Sequence, residues 1–229
     1  MDPISTQSAP QQPSAPSVGN GRRVLLLIAG IPLIVVLAAS WMWYFVANGD
    51  LDVVDALGTA NRGQLVQPPR QAMEGGWTNA GGEPFAPTSQ ALWTLVVVQR
   101  GANCDARCEQ RLYETRQIHM ALGKGMGRVQ RALVTDTSFG DLRFTAPNLS
   151  DGRDVPEDFP AYLRLEQRGM QVWLAPAAAM DTLFVEQRDN ADSWYLMDPA
   201  GWIMMRYDPS ISYKGVITDL KFLIKNSNG

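Results

Sequence analysis

Two cysteines are the only thiols in the chain, set in the run Asn103-Cys-Asp-Ala-Arg-Cys-Glu109. On a helix, residues at i and i+4 lie on one face, one turn apart. The run follows an apolar, β-branched stretch. Asn103 suits the N-cap of a helix from about Cys104 to Leu122, and Gly123 is placed to end it. The positive end of a helix dipole lowers a thiol pKa and favours thiolate, the form that is both nucleophile and metal ligand. Cys104, nearer the helix start, is therefore expected to be the attacking sulfur. The chemistry open to Cys104 and Cys108 is a dithiol–disulfide cycle or metal ligation. A static disulfide would close only a few residues and stabilise little through the unfolded chain.

Other chemistry finds little support. His119 is the only histidine. It lies about three helical turns beyond Cys108, roughly 16 Å along the axis, and cannot join both sulfurs at one metal. Met197, Met204 and Met205 offer soft thioethers that suit Cu(I), but their place in a β-hairpin reads as core packing. One histidine and no G-x-S-x-G leave a Ser or Cys hydrolase without its base. There is no phosphate-binding or dinucleotide glycine motif. Gly123-Lys-Gly-Met-Gly127 reads as a helix-ending turn. The acidic stretch from Asp151 to Asp158 lacks the spacing of a calcium loop and reads as a solvated loop. The net charge is −3 and the pI about 5.2, with no dense Lys/Arg run, which argues against nucleic acid as a partner.

The elements that must position the cysteines follow from periodicity. Val24 to Ala47 carries no charge. As a helix it spans about 36 Å, enough to cross a bilayer with some tilt. Trp41, Trp43, Tyr44 and Phe45 suit the headgroup layer. Arg22 and Arg23 precede the segment, and Asp50, Asp52 and Asp55 follow it. The positive-inside rule then keeps residues 1–23 in the cytosol as a disordered tail and exports the remainder. A cleaved signal peptide is the competing reading, but its apolar core would be shorter. Residues 48–90, rich in Gly, Pro, Asn and Gln, read as a stalk and an irregular entry, with the domain proper at 91–229 or starting near residue 62. Strands are expected at Leu92–Val98, Val129–Thr135 and Met170–Leu174. Helices are expected at Pro156–Gln167 and Ala177–Val185, with a turn-rich insertion at 136–155. Trp194–Met197 and Trp202–Tyr207 form a hairpin around Asp198-Pro-Ala-Gly201. Val216, Ile217, Leu220, Leu223 and Ile224 stripe a closing helix at Lys214–Lys225. The result is an α/β fold, a mixed sheet flanked by helices.

The membrane helix, LVVV before the cysteines, the Cys104-x-x-x-Cys108 pair and the Tyr195–Tyr207 hairpin together resemble the thioredoxin-like superfamily. Within it they resemble the Sco/SenC proteins of cytochrome c oxidase assembly, over about Gln64 to Lys225. The resemblance implies a bacterial inner-membrane protein with its domain in the periplasm. It implies copper as the cofactor and a respiratory oxidase subunit, or its copper-site cysteines, as the partner. Both cysteines would be redox residues and copper ligands. The family's third ligand is a histidine shortly before the hairpin tyrosine. The matching stretch here, Arg188-Asp-Asn-Ala-Asp192, holds no histidine, and Asn190 stands near the ligand position. The alternative is a non-catalytic scaffold or subunit of a respiratory membrane complex.

Overall fold

A computed structural model describes residues 18–47, 61–87 and 90–227. The calls on Asp50, Asp52 and Asp55 and on residues 1–17 of the disordered tail lie outside them, whereas residues 18–23 of that tail are helical. The chain divides into two units, Met1–Thr59 and Ala60–Gly229. In the first, helix α1 runs Val18–Ala47. Its stretch Gly21–Tyr44 is long and apolar enough to cross a membrane. Pro32 lies inside it, as membrane helices tolerate.

The second unit is built on a six-stranded mixed sheet. Its strands are β1 (Gln64–Gln71), β2 (Trp93–Gln99), β4 (Val129–Thr135), β6 (Gln171–Leu174), β7 (Trp194–Met197) and β8 (Trp202–Tyr207), in the order β1-β8-β7-β2-β4-β6. β2, β4 and β6 are parallel neighbours, while β7, β8 and β1 are antiparallel. A separate two-stranded ladder pairs β3 (Asn103–Cys104) with β5 (Arg143–Phe144). The helices are α2 (Ala106–Ala121), α3 (Phe159–Glu166), α4 (Ala177–Leu183) and α5 (Tyr213–Asn226).

β2 explains why the sheet is covered twice. All seven of its residues are buried, as a continuous apolar run requires. Alternation sends Leu95 and Val97 into one core with Leu112 and Ile118 of α2 and Val216 and Leu220 of α5. Val96 and Val98 enter the other with Trp77, Met180 and Phe184. The hairpin turn forms as its residues demand. Asp198 Oδ1 accepts from the N–H groups of Ala200 and Trp202. Gly201 has φ +89, a conformation that suits glycine.

Two expectations shift. Residues 64–71, read as part of a stalk and irregular entry, form an edge strand on β8. Periodicity hid it, because Pro68 and Pro69 sit inside the strand, a position that edges tolerate. The helix expected from Cys104 with Asn103 as its cap begins instead at Ala106. Asp105 is the cap, and its carboxylate accepts from the N–H groups of Arg107 and Cys108 at 3.1 and 3.0 Å. An Asp three residues before a first-turn residue meets the capping geometry. Asn103 is too early to do so.

Candidate functional site

Cys104 and Cys108 are joined as a disulfide with Cα atoms 5.1 Å apart. They do not share a helix face. Cys104 ends β3, ahead of the cap, and Cys108 lies in the first turn of α2. The bond therefore ties a strand to a helix start, just beyond the C-terminal end of β2. Both cysteines are 0% exposed. They belong to the core that also holds Leu142, Leu149, Phe159 and Tyr162.

The insertion at 136–155 supplies much of that cover. Cys104 pairs with Phe144 across the β3–β5 ladder, and its carbonyl accepts from the Thr145 N–H at 2.9 Å. Beyond, Glu109, the residue after Cys108, is buried. Its carboxylate accepts from the Ser150 N–H at 2.9 Å and from the Ser150 hydroxyl. On its other side the Tyr162 hydroxyl donates to it at 3.3 Å. Gln167 Nε2 donates to the Tyr162 oxygen at 2.8 Å, and Arg131 donates to Gln167 Oε1. Burial, and then the Glu109 charge, push the Tyr162 hydroxyl pKa well up, so this phenol stays a proton donor. Burial lowers the Arg131 pKa to about 10. Buried polar groups are tolerated when they are paired in this way. Further out, Arg153 bonds both Asp151 and Glu166, and Arg116 also reaches Glu166. Hydrogen bonds from Arg153 hold both carboxyls below their usual range.

A cleft of about 230 Å³ beside the pair is lined by Asn103, Asp105, Arg107, Arg111 and Asp192. Arg111 is 7% exposed and donates to the Ala191 carbonyl at 2.9 Å and to Asp192 Oδ1 at 3.1 Å. Burial lowers its pKa, and the Asp192 charge opposes that shift. Arg111 thus ties the stretch before β7 to α2.

That stretch is where the third copper ligand of the resembling proteins would lie. The Asn190 side chain accepts from the Asp192 N–H at 3.0 Å, and Asp192 is held by Arg111. These are hard oxygen donors, one of them already paired with a cation, and they do not suit Cu(I). Among the described residues, no three His, Cys, Asp or Glu side chains are grouped to hold a metal. The other soft donors are elsewhere. Met197 and Met205 are buried in separate cores, and Met204 packs against one of them. At the far end of α2, His119 Nε2 donates towards the carbonyls of Val129 and Met126 at 2.8 and 3.1 Å, tying the helix end to β4. The residues present therefore do not fit a three-donor copper site.

Sequence reasoning found the cysteines but missed Glu109, Ser150, Tyr162 and Arg111. One signal was available. Glu109 and Arg111 lie between Cys108 and Leu112 on a helix that needs its buried face, so polar side chains there had to be paired.

Several solved structures are similar in fold. Yeast Sco1 with copper bound aligns at 16% identity with TM-score 0.47, covering 75% of this chain and 97% of that one. A SCO1/SenC family lipoprotein from Bacillus anthracis str. Ames aligns at 17% with TM-score 0.42, covering 71% and 95%. A thiol:disulfide interchange protein from Bacteroides sp. aligns at 11% with TM-score 0.42, covering 72% and 91%. No curated protein matches the sequence. Residues 93–227, from β2 through α5 with the Cys104–Cys108 pair between them, match the model of the transmembrane-like, thioredoxin-like C-terminal domain, and the chain belongs to that family.

Proposed function

We propose that this is a membrane-tethered thiol-disulfide protein that assists cytochrome c oxidase assembly, working from the bacterial inner membrane with its domain in the periplasm. The observation that supports it is the Cys104–Cys108 disulfide at the start of α2 in a thioredoxin-like domain. The oxidase as partner comes from the sequence resemblance. In the reduced protein, Cys104, ahead of the Asp105 cap, is assigned the attacking role. Its thiolate attacks one sulfur of a partner disulfide. A mixed disulfide forms and the partner's first thiolate leaves. The Cys108 thiolate then attacks the Cys104 sulfur of that bond, which closes Cys104–Cys108 and releases the partner's second thiolate. Two electrons pass to the partner, and a periplasmic dithiol donor must restore the pair.

A Cys108→Ser variant blocks the second step. It is expected to accumulate a mixed disulfide through Cys104, seen as a reductant-sensitive heavier band in membranes, and a Cys104→Ser variant is expected not to. A Cys104→Ser, Cys108→Ser double variant with normal oxidase assembly would sink the thiol reading. The complete burial of both sulfurs favours the scaffold reading as the second, and that result would leave it standing. Tight, stoichiometric Cu(I) uptake by the reduced protein would replace disulfide exchange with copper handling on the two thiolates.

A further inference from the structure

All four lysines of the chain, Lys124, Lys214, Lys221 and Lys225, lie on α5 or on the 3-10 turn after α2. That turn packs against α5, where Gly125 approaches Ile224. All four are exposed. Among the described residues every ion pair uses arginine and none uses lysine. On α5 the spacing 214, 221, 225 aligns three of them along one face. The only carboxylate of that helix, Asp219, is buried and faces inward. Beside this line of lysines Phe222 is 59% exposed, and Met126 of the neighbouring turn is 44% exposed. A protein of net charge −3 thus carries a lysine-lined face flanked by exposed apolar side chains, with Glu114 of α2 at its Tyr213 end.

We propose that this face docks on an anionic lipid surface. Flexible lysine stems let the amines sit among phosphates while the apolar side chains enter the headgroup boundary. Polybasic segments are drawn to anionic membranes in this way. The same chain carries the membrane helix α1, so the lipid surface is always at high effective concentration, and weak docking suffices.

The test uses the full chain in lipid nanodiscs, with hydroxyl-radical labelling read by mass spectrometry. In discs containing phosphatidylglycerol, Phe222 and Met126 are expected to be oxidised several-fold more slowly than in purely zwitterionic discs. Met73, 51% exposed on another element, serves as the reference and keeps its rate. High salt, or a Lys221→Glu, Lys225→Glu variant, is expected to abolish the difference. Equal rates at Phe222 and Met126 in the two discs would overturn the proposal. So would slowing that includes Met73 to the same degree, or slowing that persists in the double variant.

Discussion

The Asp219 carboxylate sits 3% exposed on α5 and receives three donors. The Arg62 and Gly63 N–H groups reach it at 2.9 and 2.8 Å, and the Tyr207 hydroxyl at 3.2 Å. One side chain thus fixes where the chain enters the domain and how β8 meets α5. Gly63 must be glycine here, because a Cβ would lie 2.5 Å from the Tyr207 ring. Asp219→Ala leaves a buried N–H and a buried hydroxyl unpaired, each worth about 1–3 kcal/mol. The expected loss is about 3 kcal/mol in urea unfolding followed by tryptophan fluorescence, and Asp219→Asn should lose less. No change on Asp219→Ala would show that water replaces the carboxylate. Nothing in the sequence pointed to Asp219, because two of its three partners, Arg62 and Gly63, lie 157 and 156 residues away. The cysteines were legible for the opposite reason. Their spacing and their place after a β-branched run are local. Asp105 was legible in principle, but the rule that finds it was applied to Asn103 two residues too early.

The elements around the disulfide raise a question of access. Exchange needs a reductant or partner sulfur in line with the bond, and both sulfurs are fully buried. The cover includes the insertion carrying β5, fastened at one end by the β3–β5 ladder and at the other by Ser150 on Glu109. Local opening of such segments is set by the few contacts that close them. Glu109→Gln removes the charge that strengthens the bonds from Ser150. Ser150→Ala removes one of those bonds outright. Either change is expected to speed reduction of Cys104–Cys108 by a small phosphine several-fold, measured by alkylation and mass spectrometry. Unchanged rates in both would mean that the cover opens elsewhere. The insertion itself was legible as turn-rich. Its packing over the cysteines was not, because Leu142, Phe144 and Leu149 show neither helical nor strand period, and what orders them is the surface they cover.

At the scale of the whole molecule, the boundary of the folded unit separates two accounts of the region before β2. If residues 61–87 were only a tether, the domain could begin at residue 91. The structure instead makes β1 the outer strand on β8 and inserts Trp77, 1% exposed, into the second core against Phe184 at 6.0 Å. Arg70 also bonds both Glu186 and the Leu183 carbonyl. Removing these residues strips the β8 edge, opens a cavity the size of an indole and leaves Asp219 without two of its donors. Loss of a buried Trp alone is worth about 3–5 kcal/mol, a large share of the stability of a domain this size. An exposed strand edge also invites aggregation. A protein of residues 60–229 is therefore expected to elute as a compact species and melt cooperatively by circular dichroism. Residues 91–229 are expected to aggregate or to melt without a sharp transition. Equal melting of the two would make β1 dispensable and return residues 61–87 to the role of a tether.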